Sequence, residues 1–327
     1  MANGGGGQST GVPGGGGAAG AIGIGGSVGL GMSCSDNQQC PSDTICCNAS
    51  TKGCSGTRLP VGNSTDPGEY EVSADGQMVS DTITGLLWQR DVSGARAGCH
   101  GKNNNLTCTW NEAQSYCASL SLAGLSGWRL PGVMELATLL DLSRSNPAID
   151  PAAFPGTPAE AFWSSSPSAM WRTTDSSAAW AVDFKTGTND IADAQATYAR
   201  ARCVRGSRCH PRTRFEVLDG GVVHDALTNL YWHRYGSADR AMSWWEAEAY
   251  CAGSGFRLPT LKELLSIVGF EVAHVVSIDQ DAFPVTRVEG FWTSTPVADD
   301  PNSRWQVYFG GGDAYPSPYG GTARCVR

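Results

Sequence analysis

The residues of this chain whose types could do chemistry are twelve cysteines, five histidines and a set of recurring arginines and carboxylates. Cysteines in C-x-x-C spacing would suggest zinc or a redox pair, but none occurs, and an even number spread along the chain reads as a disulfide framework. His100, His210, His224, His233 and His274 form no H-E-x-x-H, and no G-x-S-x-G nucleophile elbow is present. No catalytic residues, no metal site and no cofactor are therefore expected. Arg129 and Arg257 in R-L-P blocks, with Arg202, Arg205, Arg324 and Arg327 in two R-C-V-R ends, could line an anion pocket. Glu112, Glu135, Glu246 and Glu263 recur alongside them, so ion pairs within the architecture are the expectation.

The elements that must position these residues occur twice, in one order. DTITGLLWQR (81–90) matches DALTNLYWHR (225–234), WNEAQSYC (110–117) matches WWEAEAYC (244–251), and WRLPGVMEL (128–136) matches FRLPTLKEL (256–264). IDPAAFP and IDQDAFP, FWSSSP and FWTSTP, WAVDF and WQVYF, and two ARCVR ends complete the set. The offset between copies falls from 144 at Asp81 to 122 at Cys203, and ten of the extra residues lie between Arg90 and Trp110. Cys99 and Cys108 fall inside that insertion and are expected to close it. Cys117 and Cys203 recur as Cys251 and Cys325, which predicts one bridge within each copy. Cys34, Cys40, Cys46, Cys47, Cys54 and Cys209 remain, so Cys209 is expected to staple the linker to an N-terminal knot.

Hydrophobic spacing predicts a helix from Trp110 to Leu120 with Ala113, Tyr116 and Cys117 on one face. A second follows each R-L-P, with Pro131 and Pro259 in its first turn. Alternation predicts strands at Trp180-x-Val182-x-Phe184 and Trp305-x-Val307-x-Phe309. The expected organisation is a Gly-rich disordered stalk (1–33), a Cys-rich knot and linker (34–65), a first domain (66–206), a linker (207–211) and a second domain (212–327). The first 31 residues carry no charge and cannot bury enough apolar surface to offset ordering.

A formal charge of −8 argues against nucleic acid as a partner. No apolar run of membrane-spanning length exists, so no membrane span is expected. The cysteines call for an oxidising compartment, which implies an extracellular or cell-surface protein whose export signal is not in the chain as given.

The ordered blocks L-x-W, W-x-E-A-x-x-Y-C, W-R-L-P-x-x-x-E-L, F-W-S-S-x-P, W-x-V-x-F and R-C-V-R resemble the Lcl C-terminal domain family, named for the tip of a bacterial collagen-like adhesin. The resemblance spans nearly all of both copies. It implies an α+β class with two tandem C-type-lectin-like domains, each with two helices flanking a twisted antiparallel sheet and an irregular long-loop region. The function it implies is adhesion, with a glycan, an extracellular matrix component or a cell-surface protein as partner; the other reading is a structural or protein-docking subunit without glycan binding.

Ligand-facing residues are expected where the copies differ, in the loop between F-W-S/T-S and the W-x-V strand. These are Trp171, Arg172 and Asp175 in the first copy and Asp299, Asp300, Asn302 and Arg304 in the second, joined by Tyr315 and Tyr319 of a late Gly/Pro-rich loop. No E-P-N, Q-P-D or W-N-D calcium signature is present, although Asp299 with Asp300 could hold a cation independently.

Overall fold

Glutamate at the fourth position of an N-terminal cap sets the start of each helix. The helices are α1 (Trp110–Ser119), α2 (Val133–Thr138), α3 (Trp244–Gly253) and α4 (Leu261–Ser266). Glu112, Glu135, Glu246 and Glu263 accept the backbone N–H groups of Thr109, Gly132, Ser243 and Thr260 at 2.7–2.8 Å. Such a cap stabilises a helix by about 0.5–2 kcal/mol, which matters most for six-residue helices with little propensity of their own. Pro131 and Pro259 stand before these caps rather than in the first turn, because Gly132 and Thr260 take the cap positions. Their carbonyls instead accept from Ser165 and Ser294 of the neighbouring strands.

The computed structural model describes residues 69–101, 106–168, 178–206, 214–237, 241–270 and 276–327, with the backbone of β1 (Cys47–Asn48) and β2 (Gly53–Cys54). The stalk, Cys34, Cys40, Cys46, Cys209, Trp171, Arg172 and Asp175 lie outside the described residues. Backbone pairing of Cys47 with Cys54 joins β1 to β2.

The fold is mixed, mostly strand with few helices. The first repeat opens with β3 (Tyr70–Val72), β4 (Met78–Asp81) and β5 (Leu87–Gln89), to which β9 (Val204–Arg205) returns antiparallel. The second opens with β10 (Phe215–Leu218), β11 (Val222–Asp225) and β12 (Leu230–His233), where a bridge from Trp232 to Val326 takes the place of β9. Between these ends lie β6 (Ala161–Pro167), β7 (Ala178–Asp183) and β8 (Asn189–Asp193), and their counterparts β13 (Gly290–Val297), β14 (Asp300–Tyr308) and β15 (Asp313–Ser317). Disulfides Cys117–Cys203 and Cys251–Cys325 tie the first helix of each repeat to its end, and Cys99–Cys108 closes the insertion.

The two central sheets are one. Strand order is β13-β14-β15-β8-β7-β6, with the third strands of the two repeats meeting antiparallel at Ala314 and Asn189. Buried Asn189 makes the joint with its side chain: its amide donates to the Gly312 carbonyl and accepts from the Ala314 N–H, each at 2.9 Å. Trp180 donates its indole N–H to the Phe270 carbonyl at 3.3 Å and meets that ring edge-on, 5.0 Å between centroids. Lys262, buried, donates to the carbonyl of Thr138, the last residue of α2, where a cation suits the end of a helix.

The joint has the form of an isologous interface between two copies of one surface. Gly187 and Gly312 each follow the W-x-V tryptophan of their repeat by seven residues. Each has a positive φ, 82° and 89°, and a Cβ there would lie 2.6 Å from Leu142 or 2.8 Å from Val268. One buried apolar cluster consequently includes Trp180, Val182 and Phe184 of the first repeat with Phe270, Trp305 and Phe309 of the second.

Candidate functional site

The segment expected to be a loop in the second repeat is a tight hairpin. Val297 pairs with Asp300 across a turn whose Asp299 has φ +65°, and β14 then runs unbroken from Asp300 to Tyr308. Asp300, Asn302 and Arg304 are thus strand residues. Extended backbone was concealed by Asp, Asn, Ser and Pro in this stretch, residues that read as turn formers. Tyr315 is likewise in β15 rather than a loop, half-buried, with its hydroxyl donating to Gln306 at 3.3 Å. Burial, with Tyr308 and Asp313 nearby, pushes its phenol up from the ordinary value.

The hairpin and the start of α3 together form an exposed surface. Ser243 and Glu246 cap α3, so that Trp244 and Trp245 occupy its first turn. Trp244 is fixed by its indole N–H, which donates to the Thr293 carbonyl at 2.8 Å, and by the Arg304 guanidinium 4.7 Å above its ring. Arg304 itself donates to the carbonyls of Pro301 and Ser303, which holds the cation in place. Trp245 meets the edge of Trp244 at 4.6 Å between centroids and is 69% exposed. Tyr319, 78% exposed, begins a segment that bridges back to Met242 through Gly321, just before the same helix.

Of the expected ligand-facing residues, the structure brings Arg304 directly onto this surface, with Asp300 and Asn302 adjoining on its strand. Asn302 donates its N–H to Asp300, and hydrogen bonds from Ser303 and Asn302 hold the Asp300 carboxyl below the usual carboxylate range. Asp299 is separate: its carboxylate accepts from Ser145 of the first repeat at 2.8 Å, a contact between repeats.

Trp245 was not among the expected residues, although W-W-E against W-N-E in the matching blocks carries the signal. The first repeat has Asn111 in its place, while the fixed Trp110 keeps the same indole bond, to Ser164. An exposed tryptophan that only one copy carries is not required by the fold they share.

The recurring arginines fall into three pairs. Arg129 and Arg257 make bidentate pairs with Glu135 and Glu263 at 2.6–2.7 Å. Arg202 and Arg324, fully buried, depart from the expectation of carboxylate pairing. Arg202 donates to the carbonyls of Gln89 and Arg90 and to Thr157, and lies 4.6 Å above Phe154. Arg324 repeats this with His233, Arg234, Thr286 and Phe283. Burial pushes both guanidinium groups down to about 9. Glu112 caps α1 and touches His100, whereas Arg205 donates to the Ser126 carbonyl and Arg327 lies over Phe256.

The Lcl C-terminal domain family matches residues 77–205 and again 221–327, which together make up most of the chain. No curated protein matches it.

Proposed function

The chain belongs to the Lcl C-terminal domain family in two tandem copies, and from that premise we propose a non-catalytic adhesion protein of the cell surface that recognises a glycan or extracellular matrix component. The observation that carries this reading is Trp245, exposed beside a tryptophan locked by Arg304, whose strand also carries Asp300 and Asn302. An indole face offers apolar surface for the C–H side of a sugar, and neighbouring amides, carboxylates and guanidinium groups satisfy its hydroxyls. A C-type-lectin-like arrangement within each repeat fits two helices, antiparallel sheet and a disulfide from the first helix to the end of the repeat. The three bridges among the described residues favour an oxidising, extracellular location.

The test is an array of glycans and matrix proteins probed with the oxidised chain, in calcium and in chelator. A saturable, competed signal is expected, and Trp245→Ala should weaken it about 30-fold or more, as loss of a central aromatic anchor does. Circular dichroism must report an unchanged fold for that variant. A blank array would favour the docking-subunit reading. Binding that survives Trp245→Ala intact would move the site elsewhere, with Trp171→Ala the next variant.

A further inference from the structure

Strands β14 and β15 carry a set of exchanges between the repeats that the shared fold does not need. Strand register matches Gln306 and Tyr315, a cross-strand pair, with Ala181 and Asp190 of the first repeat. It also matches Arg304 with Ala179, Gly290 with Ala161 and, two residues past Ser317, Tyr319 with Ala194. The ARCVR ends match Gly321 with Ala199. Gln306 is 2% exposed, and both ends of its amide are used. Its Nε2 donates to the Tyr319 carbonyl at 3.2 Å, and its Oε1 accepts from the Tyr315 hydroxyl at 3.3 Å. The two glycines make room for this pair. A Cβ on Gly290 would lie 2.5 Å from the Tyr315 hydroxyl, and one on Gly321 would lie 2.7 Å from Gln306 Nε2. The alanines of the first repeat suit Ala181 and would collide with Gln306.

The exchange redirects one segment. In the first repeat the Ala194 carbonyl accepts from the Trp110 N–H at the start of α1, at 3.1 Å, and Ala194 is buried in a cluster with Ala113 and Trp163. In the second repeat Gln306 takes the corresponding carbonyl, Ser317 Oγ accepts the Tyr319 N–H at 3.1 Å, and the Tyr319 side chain stands in solvent. The segment nevertheless stays beside α3. Met242 and Gly321 exchange backbone hydrogen bonds at 2.9 and 3.0 Å, and a Cβ on Gly320 would lie 3.3 Å from that of Ala241. Arg304 thus has an exposed aromatic on either side: Trp245 reaches it through Trp244, and Tyr319 through Ser317.

The charge of this surface selects among glycans. Glu246 adjoins Trp245 in the chain, Glu248 follows it by three residues on α3, and Asp300 shares β14 with Arg304. The guanidinium of Arg304 is already engaged by the Trp244 ring and two carbonyls. Such a surface disfavours sulfated and uronic chains, while its carboxylates can accept from uncharged hydroxyls.

We infer that Gln306 is a positioning residue that holds Tyr319 out as a second aromatic platform of the Trp245 surface, and that the ligand is a neutral oligosaccharide with one ring on each aromatic. A buried amide is costly unless its hydrogen bonds are made, so Gln306 fixes the Tyr319 carbonyl as firmly as the Tyr319 carbonyl fixes Gln306. The choice of ligand rests on the Trp245 reading; the placement of Tyr319 by Gln306 does not.

The test titrates the oxidised full chain calorimetrically with cellohexaose, chitohexaose, maltohexaose and mannohexaose, and with a heparin hexasaccharide as sulfated counterpart. A neutral hexasaccharide should bind, and Tyr319→Ala and Gln306→Met should each weaken it about tenfold. The double variant should lose no more than either single one, because Gln306 acts through Tyr319; a merely structural role would make the losses add. In a fluorotyrosine-labelled chain without ligand, Gln306→Met should shift the Tyr319 fluorine resonance, which Tyr319→Phe assigns. Gln306→Ala, the first repeat's residue, serves if the methionine variant does not fold. Additive losses, an unmoved Tyr319 resonance, or preference for the heparin hexasaccharide would overturn the assignment. Binding that Trp245→Ala weakens and Tyr319→Ala leaves intact would overturn it alone, whereas no hexasaccharide binding at all would sink the Trp245 reading with it.

Discussion

Replacing Trp180 by alanine should cost roughly 3–5 kcal/mol, the range for deleting a large aromatic side chain from a packed core. Trp180 is fully buried, and its indole N–H donates to the Phe270 carbonyl of the other repeat, so the substitution also leaves that acceptor without its partner. An orphaned buried acceptor adds about 1 kcal/mol or more. The loss should not be confined to the first repeat, because Trp180 and Phe270 belong to one cluster with Trp305 and Phe309. Urea unfolding followed by amide hydrogen exchange should lower protection in β14 as well as β7. Trp245→Ala, at an exposed position, should change stability by no more than about 0.5 kcal/mol. Two separate transitions, with only the first repeat's displaced, would show that the shared sheet and core do not couple the repeats.

That coupling was hidden in the sequence for a definite reason. The first helix of each repeat, the W-x-V strands and the three described bridges follow from spacing and repetition, which sequence displays directly, whereas the second helices start two residues later than their prolines suggest. The joint depends on the side chain of Asn189 acting as a length of backbone toward Gly312 and Ala314. No hydrophobic period reports such a substitution, and the matching position in the second repeat is an alanine. The partners of Arg202 and Arg324 were hidden similarly, because sequence shows carboxylates but not which carbonyls the fold will point inward. The hairpin at Asp299 was masked by its composition, since two strands meeting through a two-residue turn share the residues of an open loop. Trp245 is legible from the difference between copies, but it stands on a helix whose buried face the copies share, away from the loops where binding residues are ordinarily sought.

The bridges should differ in worth according to the loops they close. Cys117–Cys203 and Cys251–Cys325 span 86 and 74 residues, and Cys99–Cys108 spans nine. On the chain-entropy model, loops of these lengths correspond to about 4.5 kcal/mol for each long bridge and about 2.7 kcal/mol for the short one. The comparison is best made with paired Cys→Ala variants, which leave no free thiol to react. Cys251→Ala with Cys325→Ala should therefore destabilise by nearly 2 kcal/mol more than Cys99→Ala with Cys108→Ala, measured from urea midpoints at constant m. Because the repeats share a core, either long-bridge variant should lower one common midpoint. Losing both long bridges would remove about 9 kcal/mol, comparable with the whole stability of a typical domain at roughly 5–15 kcal/mol, so full reduction should leave the chain largely unfolded at room temperature. Equal losses from the short and long bridges would place the stabilisation in the native packing around each sulfur pair instead of in the unfolded chain.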